Sequence, residues 1–201
     1  MVHITAWIIH NVWVGHAPSS VETRPLQNDG IIFLAVMEVM TLAIALGIGR
    51  IRGWSLATFG FRLSWKWAAA GVFLFAAFFL LQQVIGFVTR EVFHSAVDYH
   101  RINQLTLPVI VLISLINPIF EETIESGYIF YALEKHGLWL TVVVSAGFRA
   151  FLHATMGLSG VVAMFAQGLL YGLFYWRWRQ LWPLVIAHAL QMLYSLLRTM
   201  P

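Results

Sequence analysis

The sequence predicts an all-α fold: a polytopic integral membrane helical bundle of about six transmembrane helices, preceded by an N-terminal interfacial segment. Three observations predict it. Of the 201 residues, 60% are hydrophobic and only 10% are charged, whereas an ordinary soluble domain carries about 25% charged residues. The mean hydropathy is +0.77. The apolar residues gather in runs close to the roughly 20 residues that a helix needs to cross the hydrocarbon core.

Residues 1–30 contain "ITAWIIHNVWVGH", which is too short and too aromatic for a span and reads as an interfacial helix. The first basic residue is Arg24, so no charged region precedes the apolar part, as it would in a signal peptide. Residues 31–106 hold two accessory spans, at 31–49 and 67–88, and a loop. Residues 107–199 hold four more, at 107–133, 138–156, 158–176 and 181–199, which form the core. No soluble domain fits between them. In the fifth span Gly168 and Gly172 are four apart, a spacing that lets two helix backbones approach closely.

The 12 basic and 9 acidic residues give a net charge of +3, too few and too scattered for a nucleic-acid surface. The lipid bilayer is the first partner implied, and the cytoplasmic membrane of a bacterium or archaeon is the expected location. If the first span runs inward, Arg50, Arg52, Arg62, Lys66, Lys135, Arg177 and Arg179 face the cytoplasm, against Arg24, Arg90, Arg101 and Arg198 on the other side. With no cysteine present, disulfides, thiolate metal sites and cysteine nucleophiles are excluded.

The third span departs from plain hydrophobicity at "INPIFEETIESGYIF". A carboxylate in hydrocarbon is costly and is kept where it faces a cavity or a partner. On a helix Glu121 and Glu125 share a face, Glu122 lies about 100° round, and Asn117 points with Glu121 from one turn earlier. Pro118 cannot donate to the Ser114 carbonyl, which predicts a kink just before this acidic wall. The competing reading ends the span early, at a solvated terminus with Glu134, Lys135 and His136. Against it, "SGYIFYAL" prolongs the apolar run beyond Glu125.

The wall has partners in later spans. "SAGFRAFLHATMG" carries Arg149 and His153 four apart, and "LWPLVIAHALQML" carries His188. Carboxylate plus imidazole is what general-base activation of water requires. Zinc held by glutamates with His153 and His188 is the rival chemistry. No H-E-x-x-H helix supports it, so no cofactor and no metal is expected.

Together, "EETIESGYIF", "SAGFRAFLHATMG" and "GLLYGLFYWRWRQLWPLVIAHAL" resemble the three-part signature of the CPBP family, the CAAX-processing and bacteriocin-processing intramembrane proteases of glutamic type. The family pattern is E-E-x-x-x-R, F-x-x-x-H and H-x-x-x-N. The resemblance implies an endopeptidase acting on a membrane-anchored peptide or protein, or on a C-terminal signal. Glu121, Glu122, His153 and His188 would be catalytic, with Arg149, Asn117 and Glu125 in support. Glu121 and His153 would activate water, and His188 would help hold the oxyanion.

Three positions depart from the pattern. Ser126 stands in place of arginine, Arg149 in place of phenylalanine and Met192 in place of asparagine. The first two read as one exchange, in which Arg149 pairs with Glu122 from the facing helix. Met192 donates no hydrogen bond, which makes Asn117 the candidate replacement donor. These departures open a second reading, a catalytically degenerate homologue acting as scaffold, immunity factor or small subunit of a membrane complex. Trp176, Trp178 and Trp182 would then serve the partner in that complex or the aromatic belt.

Overall fold

The computed structural model describes residues 26–62, 64–93 and 104–200. Most of the expected interfacial segment, residues 1–25, lies outside the described residues. Among the described residues there is no strand, and six helices follow in order: α1 (Asn28–Ile51), α2 (Trp65–Phe93), α3 (Leu107–His136), α4 (Leu138–Leu152), α5 (Gly157–Trp178) and α6 (Trp182–Arg198).

Four of them, α1, α2, α3 and α5, are long and apolar enough to cross a membrane. The 15 residues of α4 and 17 of α6 rise only about 22 and 26 Å, short of the ~30 Å hydrocarbon core. The expected fourth span continued to residue 156, but the α-helix stops at Leu152. His153 takes φ −99° and ψ 15°, a 3-10 turn covers Ala154–Met156, and Gly157 has φ +75°, a left-handed value that suits glycine.

The helices alternate in direction. The α1–α2, α3–α4 and α5–α6 connections meet at one end: Leu181 N–H donates to Gly60 O (3.2 Å), Tyr175 hydroxyl to Phe59 O (3.1 Å), and Arg179 pairs with Glu134 (2.7 Å). A Cβ on Gly60 would collide with the Arg179 carbonyl, so the loops touch there because residue 60 has no side chain. At the opposite end Thr106 N–H donates to Asn28 Oδ1 (3.0 Å), tying the start of α3 to the start of α1.

The core between these ends is built from Phe59, Phe130, Val142, Tyr171, Leu181 and Leu184, all buried. The glycine pair of α5 packs on α4 as expected, since a Cβ at Gly168 would lie 2.5 Å from Ala146 Cα and one at Gly172 3.2 Å from Val142 Cγ1. Outward faces are apolar, with Phe33, Ile44, Phe73, Phe87 and Phe151 exposed as lipid-facing residues are. The extreme case is α1, which buries only Ala35, Glu38 and Gly49.

Besides the proline that precedes the acidic wall, an irregularity lies within the wall itself. The first part of α3 is α-helical from Leu107 to Glu122, straight through Pro118. A π-helical turn follows at Thr123–Tyr128, then a short α-helix at Ile129–Leu133 and a closing 3-10 turn at Glu134–His136. The Thr123 hydroxyl donates to Ile119 O at 2.6 Å, competing for a carbonyl of the ladder where the register changes. Turns of this kind recur at functional sites because they re-aim side chains.

Candidate active site

Glu122 is the centre of the site and has no exposed surface. Its Oε1 accepts a hydrogen bond from Arg149 Nη2 at 2.6 Å and lies 2.8 Å from His188 Nδ1, while Oε2 accepts from the Ser126 hydroxyl at 2.9 Å. Partners from α4, from α6 and from the next turn of α3 therefore converge on one carboxylate. The pairing expected from the exchange of Ser126 and Arg149 is present, and Ser126 donates to the same acid.

Arg149 is 1% exposed, so its charge depends on what surrounds it. Besides Glu122, its Nη2 lies 2.6 Å from Glu125 Oε2. That second contact is ionic without hydrogen-bond alignment, since both Glu125 oxygens and Arg149 Nη1 lack hydrogen-bond partners among the described residues. The guanidinium carbon sits 5.5 Å from the Tyr171 ring centroid, close enough for a cation–π contact. Ser145 holds the π turn in place by donating to the Glu125 backbone carbonyl at 2.8 Å.

A second layer runs beside the first. Glu121 Oε1 accepts from Asn117 Nδ2 at 3.0 Å, and Glu121 Oε2 stands 3.9 Å from His188 Nε2. His188 thus has one ring nitrogen at each of two glutamates. Asn117 Nδ2 also donates to Glu38 Oε1 at 2.7 Å. Both amide hydrogens are used, so Asn117 is not the free oxyanion donor it was expected to be; its donors are spent on carboxylates.

Glu38 is a site residue that the sequence reading passed over. It is 5% exposed on a helix whose other faces look into lipid. The available signal was a lone carboxylate inside "FLAVMEVM", since an ionisable residue in mid-span is functional by default. The accessory spans carried no motif to draw attention to it.

His153 stands apart. Its Nδ1 lies 2.9 Å from Arg149 O, and among the described residues its ring bonds no carboxylate. A carbonyl oxygen only accepts, so Nδ1 carries the hydrogen and the neutral ring leaves its lone pair on Nε2. Gln191 accepts from Gln167 Nε2 at 2.9 Å and so faces α5 rather than the site. Among the described residues no group of three His, Asp or Glu side chains is arranged to hold a metal ion. Two cavities, of about 320 Å³ beside Val84, Val88 and Leu158 and about 270 Å³ beside Phe59, Tyr131 and Arg179, are lined by none of the site residues.

Comparison with known proteins agrees with the motifs. Residues 103–194 match the family model described as type II CAAX prenyl endopeptidase Rce1-like, consistent with the CPBP family. The matched segment contains every site residue read from the sequence and excludes Glu38. No curated protein and no solved structure matches the chain.

Proposed function

We propose that this chain, whose residues 103–194 match the Rce1-like endopeptidases, is an intramembrane endopeptidase of glutamic type that hydrolyses a peptide bond of a membrane-associated substrate. The observation that carries this reading is the 3.9 Å separation between Glu121 Oε2 and His188 Nε2. It is too long for a direct hydrogen bond. Nδ1 of His188 faces a carboxylate oxygen, so Nδ1 carries hydrogen, and in the neutral ring Nε2 would be an acceptor. One water bonded to both acceptors at about 2.8 Å would span such a gap with an angle near 90°, once substrate binding opens space beside Glu121 Oε2, which is buried and without a hydrogen-bond partner among the described residues. Its oxygen lone pair is then directed outward, toward a scissile carbonyl.

The water oxygen adds to the carbonyl carbon while Glu121 takes its proton. The tetrahedral intermediate then breaks its C–N bond, and Glu121 returns the proton to the leaving amine, so water is divided between the two products. His153, whose Nε2 offers a lone pair, is assigned to accept the water's second hydrogen in place of His188 in the substrate complex, since Glu121 and His188 together take up both hydrogens while they hold the water. Glu122, Glu125 and Arg149 hold His188 and the wall in place. The substrate class suggested by the matched family is a prenylated C-terminal tail.

A specific observation favours a second reading. Met192 offers no donor and Asn117 has spent both of its own, so neither supplies the oxyanion with a hydrogen bond. A homologue that keeps the fold as a scaffold or subunit would look the same at these positions.

The test uses the full chain purified in detergent and offered membrane-anchored peptides, with a prenylated C-terminal peptide among them. Glu121→Gln is expected to reduce cleavage by about 10²–10⁴-fold while leaving folding intact, since the amide keeps the shape and cannot take a proton. Cleavage is expected to survive prolonged chelation. Unchanged turnover by Glu121→Gln would remove the glutamic mechanism, and loss on chelation restored by zinc would replace it with a metal mechanism. Absence of cleavage together with a co-purifying membrane partner would favour the scaffold.

A further inference from the structure

Asn117 stands between two carboxylates that come from different helices. One hydrogen of its amide goes to Glu38 Oε1 at 2.7 Å on α1, the other to Glu121 Oε1 at 3.0 Å one turn along α3. Both acceptors are carboxylate oxygens, so the nitrogen must face them and the amide plane is fixed by the pair. With Oε1 of Glu121 held, its Oε2 is the oxygen turned toward His188.

Glu38 has no other visible task. Among the described residues its Oε1 bonds only Asn117, and its buried Oε2 has no hydrogen-bond partner. No other acidic residue lies between Asp29 and the end of α1. An acid at this depth on a lipid-facing helix is not explained by packing, which an apolar side chain would serve better.

We infer that Glu38 is a positioning residue, which orients the Glu121 carboxylate through the side-chain amide of Asn117. The inference rests on the role proposed above for Glu121. It also gives α1, which lies outside the matched segment, a part in the site: without α1 the amide keeps one anchor and Glu121 turns more freely. Small errors in the placement of a base are expensive, since a displacement of about 1 Å can lower a rate on the order of 10²-fold.

The test separates bridging from mere structural support. In the full chain in nanodiscs, the ¹⁵N side-chain amide signal of Asn117, assigned by its loss in Asn117→Ala, should move in both Glu38→Ala and Glu121→Ala. On the peptide whose cleavage is sensitive to Glu121→Gln, Glu38→Ala should lower kcat about 10- to 100-fold with KM little changed. Glu38→Gln, whose carbonyl still accepts from Asn117, should restore most of kcat. Glu38→Ala combined with Asn117→Ala should be no slower than Asn117→Ala alone, because both break one chain of contacts. An amide signal indifferent to Glu38, additive losses in the double variant, or equal losses in Glu38→Ala and Glu38→Gln would each overturn the inference. If no peptide is cleaved in a Glu121-dependent way, the proposed function fails, and the amide signal still decides whether Glu38 holds Asn117.

Discussion

At Glu122 the burial of a carboxylate is made tolerable by Arg149, and at Arg149 the burial of a guanidinium is made tolerable by Glu122 and Glu125. Removing one partner of such a group leaves uncompensated charge, at a cost of about 3–5 kcal/mol. Arg149→Phe is therefore expected to destabilise the protein, although phenylalanine is the residue of the CPBP pattern at this position. Ser126→Arg alone places a second guanidinium in a closed space beside the first, and overpacking of that kind costs about 1–3 kcal/mol. The double variant should recover stability, with a coupling above about 1 kcal/mol in thermal unfolding measured in detergent. If Arg149→Phe is harmless, or if the double shows no coupling, the charge has not been exchanged between α3 and α4. The pairing of Arg149 with Glu122 was legible in the sequence because a missing arginine and an extra one fell within a single motif set. Glu38 was not, because its partner Asn117 is 79 residues away and only folding brings them together.

Between elements, α4 and α5 approach closely at Gly168. A Cβ there would meet Ala146 Cα, part of a helix backbone and unable to rotate aside. Gly168→Val is expected to force the two helices apart and to cost about 1–3 kcal/mol or more. Gly147→Ala in α4 is its control, since a Cβ at Gly147 meets nothing within 4 Å and alanine gains about 1 kcal/mol of helix propensity over glycine. Thermal unfolding of both should show loss for the first and none for the second. Equal effects would mean that this contact does not set the spacing of α4 and α5. The spacing of Gly168 and Gly172 made this contact readable in advance. The π turn at Thr123–Tyr128 was not readable, because Pro118 is the obvious helix breaker in that run and the chain accommodates it within α-helix. The early end of α4 depends on the backbone at His153 and Gly157, which the continuing apolar pattern concealed.

For the whole molecule, the alternation of the helices brings Arg50, Arg52, Arg62, Lys66, Lys135, Arg177 and Arg179 to the end where the three connections meet. Among the described residues these seven stand at one end of the bundle and Arg198 at the other. The site lies between those ends: Arg149 is eleven residues into α4 from the basic end, about 16 Å, and Glu38 ten residues into α1 from the other, about 15 Å. Both depths are near the middle of a ~30 Å core, where the acids need the partners that they have. Basic residues collect on the cytoplasmic side of membrane proteins, so the basic end is expected to face the cytoplasm, with the N-terminus of α1 at the opposite surface. The native chain has no cysteine, which makes single-cysteine variants free of background. In intact cells a membrane-impermeant maleimide should label Gln27→Cys, exposed beside the start of α1, and should reach Arg52→Cys, exposed at the basic end, only after lysis. The reverse pattern would invert the orientation, and labelling of both in intact cells would mean that the two positions do not lie on opposite sides of the membrane.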